Sequence, residues 1–257
     1  MKRNSIPLPA DSVSLLQNLE ELVWLVDNAL GKKTIQMKKD LRLLMLASNT
    51  AAMHRIARAV VVGIRGGSVD GIDILTRSIV EGLINTKYIL EDETQMRTRA
   101  YITHDYKDRI EALGRLIPLL ERGVTKGMAM VTDAERYKKL KYSLESELKQ
   151  LEKKFGKENL IWPSLKQRAK LCKAEELYAT AFWLLSLDAH MTARGLDRYM
   201  REKKDGGIVI ELGQDLSRLY MHLRTIYISY LALLNENCNY FGLPTRDELK
   251  KYDFIPQ

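Results

Sequence analysis

Histidine and cysteine are scarce in this chain, with four of the first (His54, His104, His190, His222) and two of the second (Cys172, Cys238) among 257 residues. No Cys-x2-Cys and no His-Glu-x-x-His gathers them, so zinc-knuckle and metallopeptidase chemistry is excluded and no metal or cofactor is expected. The two thiols stand alone in helical patterns and read as buried free thiols of a reducing cytosol. Proline and glycine number 6 and 15, too few for an all-β or disordered chain. Gly-x-Ser-x-Gly and Gly-x-Gly-x-x-Gly are missing, which removes the α/β-hydrolase and Rossmann classes. Long apolar runs are missing too. The best, Leu43 to Met53, carries Ser48, Asn49 and Thr50, so no membrane insertion is expected. The opening MKRNSIPLPADS is basic but has no apolar stretch behind it and is not expected to be a signal peptide.

What is present is a helical pattern over most of the chain. The composition, 46% hydrophobic and 29% charged, supports a sizeable core without metal or disulfide staples. A formal charge of +8 permits an anionic partner without requiring one. Apolar periodicity predicts a helix from Asp11 or Ser12 to Gly31, a second from about Thr34 to Ile64, and a turn at Arg65-Gly66-Gly67. That glycine pair has no strand before it and no Gly-Lys-Ser/Thr after it, so it is a helix end and not a phosphate loop. Further helices are expected at about 94–122, with Pro118 kinking or ending it, at 132–155, at 164–174, from Glu175 to about Arg201, and from about Leu212 to Tyr240, followed by a polar tail. Lys203 to Gly207 reads as a turn. Ile208-Val209-Ile210 is the one β-like triplet, too short to imply a sheet. Segment 132–155 is rich in Lys and Glu, with Leu140, Leu144, Leu148 and Leu151 as a narrow apolar seam. It suits an antiparallel hairpin arm or a dimer contact.

Val69 to Glu91 organises the rest. Ile72, Leu75, Ile79, Leu83 and Leu90 fall on one stripe, with Ile74, Ile84 and Tyr88 opposite. A helix apolar on both sides belongs in the middle of a helical protein. Arg77 and Glu81 interrupt it one turn apart. Buried charges pair, because an unpaired one costs several kcal/mol. The pair is therefore either an internal clamp or a polar functional centre.

Two other places could carry chemistry. Arg99 and His104 have the Arg-x4-His spacing of the all-helical HEPN-type ribonucleases, in which the His moves protons at a 2′-hydroxyl and the Arg steadies charge on the phosphorane. Ala100 departs from the polar residue favoured after the Arg. Ser186 and His190 lie one turn apart on one helical face, with Phe182 extending it. Asp188 is misplaced to orient that imidazole.

Arg77-Ser78-x-x-Glu81, then RAYITHDY from Arg99, then Tyr178-x3-Phe182-x3-Ser186-x3-His190 resemble, in this order, a prokaryotic helical family. It is the domain of unknown function numbered five-six-seven-seven, and the likeness covers roughly Lys38 to Phe241. The resemblance implies an all-α fold with no established activity, a setting in bacterial defence or mobile elements, and a distant relation to HEPN domains. In that case His190 would be the HEPN His, yet no Arg lies between Ala174 and His190.

The expectation is one all-α domain, a single bundle of about seven or eight helices. Its core is 11–123 and 164–242, and 132–155 is a charged arm. The functional expectation is a cytoplasmic interaction or assembly module binding a protein partner or itself as a homodimer. The alternative is a HEPN-like, metal-independent ribonuclease or abortive-infection toxin acting on RNA. Its candidates are Arg99, His104 and His190, with Arg77, Glu81 and Ser186 as the polar centre.

Overall fold

Local signals set the helix boundaries in the computed structural model, which describes residues 7–30, 40–123, 134–179, 200–202, 208–210 and 216–252. In chain order they are α1 (Ala10–Leu30), α2 (Leu41–Arg65), α3 (Ile72–Leu90), α4 (Met96–Glu121), α5 (Ala134–Phe155), a 3-10 turn (Lys157–Leu160), α6 (Leu165–Leu171) and α7 (Glu175–Leu177). Strands β1 (Met200–Glu202) and β2 (Ile208–Ile210) follow, then α8 (Leu219–Phe241) and α9 (Arg246–Lys250). The protein is all-α. The β-like triplet 208–210 pairs antiparallel with 200–202, Arg201 opposite Val209, as a two-stranded ribbon. The expected helix from Glu175 is described only as far as Ala179, and the expected turn 203–207 lies outside the described residues.

Asp40 shows how a boundary is made. Its backbone is extended, and its carboxylate accepts from the Arg42 N–H at 2.9 Å. The Arg42 guanidinium returns to the same carboxylate at 2.9 Å. That side-chain hydrogen bond is the main reason the Asp40 carboxyl titrates below its ordinary 3.8. Asp40→Ala is expected to cost about 1 kcal/mol in thermal or urea unfolding. A folded-state pKa below the unfolded one means that the contribution is present above about pH 4 and fades as pH falls through the lower, folded value. The gap between wild type and variant should therefore narrow on acidification below the ordinary 3.8.

The chain divides into two compact units, 1–91 with 165–257, and 92–164. In the first, α3 packs against α2, α6 and α8, and α1 packs against α2 and α8. The predicted stripe is confirmed at Ile72, Ile79, Leu83 and Leu90, all buried, and so are Ile84 and Tyr88 on the other side. Leu75 is half-buried, and Ile74 is 54% exposed. Gly82 permits the close approach of α2, since a Cβ there would lie 3.1 Å from Met53 Sδ. Buried polar rungs fix the register. Asn49 donates to Thr86 Oγ1 at 2.9 Å, and Asn237 donates to Thr50 Oγ1 at 2.6 Å. The expected polar tail instead forms α9. Thr245 caps it in a capping box with Glu248, Leu249 is buried, and the Tyr227 hydroxyl donates to the Tyr252 carbonyl at 2.5 Å. The Thr-x-x-Glu signal for that helix is present in the sequence.

In the second unit α4 and α5 form an antiparallel hairpin. Tyr106 donates to Glu147 at 2.7 Å, Lys107 meets Glu152 at 3.2 Å, and Lys138 meets Glu121 at 2.8 Å. Residues 106 and 107 meet 147 and 152, whereas 121 meets 138, so the two helices run antiparallel. Leu113, Ile117 and Leu144 are its buried apolar residues. Asp92 starts α4 by accepting from the Arg97 N–H at 2.6 Å. Pro118 does not end the helix. It sits in the last turns, and its carbonyl still accepts from Arg122 N–H at 3.3 Å.

Candidate functional site

Arg77, Glu81 and Asn85 recur every four residues along α3 and so form one polar row on a mostly buried helix. Among the described residues the ion-pair partner of Glu81 is Arg168 of α6, at 4.0 Å. The Arg168 side chain is 6% exposed and that of Glu81 43%. Asn85 Oδ1 is buried beside them without a hydrogen-bond partner. Cys172, one turn after Arg168, is a buried free thiol whose Sγ lies 3.9 Å from the Ile84 carbonyl. The row is thus roofed by the Arg168, Ala169 and Cys172 face of α6. Ser186 and His190 lie outside the described residues.

Arg99 and His104 both sit on α4, in the second unit. Five residues on a continuous helix separate their directions by about 140°. The Arg99 guanidinium lies 4.6 Å from the centre of the Phe155 ring, and its buried Nε has no hydrogen-bond partner. His104 is exposed, with Nε2 3.6 Å from Asp108 Oδ2. It lines a cleft of about 450 Å³ with Lys107, Lys157, Glu158 and Trp162. One cation there already has company, since Lys107 pairs with Glu152 at 3.2 Å. Trp162 packs on Tyr101 with ring centres 5.0 Å apart. The arrangement holds the loop after α5 onto α4. It does not aim Arg99 and His104 at a common point.

A third polar centre lies where α1, α2 and α8 meet. Asp27 Oδ1 is 3.0 Å from His54 Nε2, and His54 Nδ1 is 2.8 Å from the Tyr230 hydroxyl. Burial first, and the Asp27 charge second, push the Tyr230 phenol far above its ordinary pKa. The phenol therefore keeps its proton, and the imidazole bridges it to the Asp27 carboxylate through its two ring nitrogens. Acid, imidazole and hydroxyl stand in the order of a hydrolytic relay. Tyr230 is fully buried, so its oxygen cannot meet a substrate, and the relay ties three helices together. Among the described residues no group of three His, Cys, Asp or Glu side chains could hold a metal ion. Among them, too, no helix is long and apolar enough to cross a membrane.

The model of a family of unknown function, DUF5677, matches residues 44–208. The chain belongs to this family. The DUF5677 match takes in nearly all of α2, all of α3 to α7, and the Arg77–Glu81 row, and it leaves α1, α8 and α9 outside. No curated protein and no solved structure matches the chain. Two polar centres of this DUF5677 protein escaped sequence reasoning. Arg168 lies among Lys166, Lys170 and Lys173 and looks solvated. The signal was its i, i+4 spacing to Cys172 with Ala169 between, one small apolar face on a short helix. The Asp27–His54–Tyr230 relay joins residues up to 203 positions apart in sequence and has no local signal.

Proposed function

We propose that the protein is a helical interaction module of the cytoplasm, binding a protein partner or a second copy of itself, in the defence or mobile-element setting that the family resemblance implies. One observation carries this reading. Trp24 on α1 is 68% exposed and Val62 on α2 is 63% exposed, both on long, well-packed helices. A solvated Trp on a rigid element is the residue type that most often anchors an interface. Two of the candidate groups have other partners. Arg99 is stacked on Phe155, and Glu81 faces the buried Arg168.

The test is RNA hydrolysis by the purified chain, with metal chelated, beside His104→Ala and His190→Ala. The expected result is no cleavage by any of the three. Cleavage that disappears in either variant would replace the module by the ribonuclease.

A further inference from the structure

The exposed pair on α1 and α2 has a defined frame. Arg65 Nη2 meets Glu20 Oε2 at 2.6 Å, and Arg58 Nη1 meets Asp27 Oδ1 at 3.9 Å. Residue 20 is thus level with 65, and 27 with 58. Interpolating along the antiparallel pair puts Trp24 level with Val61 and Val62. On a wheel of 3.6 residues per turn, Glu20, Trp24 and Asp27 fall within about 60° of one another, as do Arg58, Val62 and Arg65. The outer face of α1–α2 is therefore an apolar centre, Trp24 with Val62, closed at each end by an ion pair.

The two helices that build this face carry opposite charge without exception. The acidic residues of α1 are Asp11, Glu20, Glu21 and Asp27, and it has no Lys or Arg. The basic residues of α2 are Arg42, Arg55, Arg58 and Arg65, and it has no Asp or Glu. A partner of one sign would suit one row and be repelled by the other. A second copy of the same face suits both, provided that the acidic row of each copy lies over the basic row of the other. Only one of the two in-plane two-fold axes does this. An axis parallel to the helices sets α1 over the other copy's α2, and an axis across them sets α1 over α1, acid on acid.

We propose that the α1–α2 face is a homodimer interface in which α1 of each copy packs against α2 of the other about a two-fold axis parallel to the helices, with Trp24 at its centre. This rests on the interaction-module reading and names the partner. The product is a four-helix arrangement, with like helices on the diagonals. Its size is adequate. A helix of 21 residues is about 31 Å long, and a two-helix face about 20 Å wide gives about 600 Å² a side. The total of about 1,200 Å² is at the lower end of specific interfaces. Aromatic anchors inside a charged rim are the usual anatomy of such a surface. The charge rows set orientation and salt dependence more than affinity.

The experiment is sedimentation velocity of the full chain over a range of micromolar concentrations, with circular dichroism to show that each variant is folded. Wild type is expected to dimerise, and more weakly as salt rises. Trp24→Asp is expected to weaken the dimer at least about tenfold, since a carboxylate would be left in its centre. Glu20→Lys/Asp27→Lys makes both rows basic, and Arg58→Glu/Arg65→Glu makes both acidic. Each should be monomeric alone, and an equimolar mixture should recover the dimer. A wild type that stays monomeric, a Trp24→Asp that dimerises unchanged, or a mixture of folded variants that stays monomeric would each overturn the proposal. If a charge variant does not fold, Trp24→Asp decides. Failure here leaves the interaction-module reading intact. That reading falls only to His104- or His190-dependent RNA cleavage, whatever the oligomeric state.

Discussion

Ile79→Ala should destabilise the unit formed by 1–91 and 165–257 by about 2–5 kcal/mol, the range for deleting a fully buried aliphatic side chain. Ile74→Ala, five residues earlier on the same helix, should stay within about 0.5 kcal/mol. Ile79 is completely buried, on a helix packed against α2, α6 and α8, whereas Ile74 is 54% exposed. Two terms add at Ile79, the lost transfer energy of the removed methyl groups and the cavity left behind. Helix propensity acts the other way, because Ala is the better helix former, but by only a few tenths of a kcal/mol. Urea unfolding of the two variants beside wild type checks the prediction. Equal effects at the two positions would mean that the packing around α3 is misassigned.

Leu144→Ala should open the α4–α5 hairpin selectively. The apolar cluster there has only Leu113, Ile117 and Leu144 fully buried, with Tyr106, Ile110 and Tyr137 at its edge. Removing one of three core side chains takes about 2–5 kcal/mol from a small structure. The surrounding ion pairs cannot compensate, because exposed pairs contribute about 0–1 kcal/mol each. Lys138 illustrates the point. Hydrogen bonds to Glu121 and Glu135 raise its pKa, but the group is about a third exposed. Native-state hydrogen exchange is the measurement. Amides of 96–121 and 134–155 should lose protection, while those of α3 and α8 keep theirs, since small units open independently of the most stable core. Loss of protection in all of them together would show one cooperative fold.

Helices were legible wherever an apolar period ran for several turns, as in α1, α3 and α8. One end was legible where a cap chemistry is specific, as in the Gly66-Gly67 turn. Three things were not. Pro118 is expected to kink or end α4, but the helix carries on for three residues to Glu121, although the proline offers no N–H to the Gly114 carbonyl. Ile74 was placed with the buried residues because periodicity marks two faces of α3 as apolar without saying which positions meet a neighbour. The polar centres were hardest. Arg77 and Glu81 were singled out from within one helix. The group that actually faces Glu81, Arg168, lies 87 residues away in sequence. The cleft at His104 likewise depends on the return of the loop that carries Trp162. Spacing along a chain reports helical faces, and such pairings depend on which faces meet.

The order of the two units along the chain bears on its synthesis. Helices α1 to α3 bury their apolar faces against α8, which begins at Leu219, whereas 92–164 lies wholly between them. At about 5–20 residues per second on the ribosome, roughly 8–30 s separate the emergence of α3 from that of α8. During that interval the hairpin, whose contacts are local, can close in microseconds to milliseconds, while the parts of α1, α2 and α3 that pack on α8 wait uncovered. The nascent chain therefore holds a finished hairpin beside an open three-helix layer, and that layer closes only when the last 39 residues arrive.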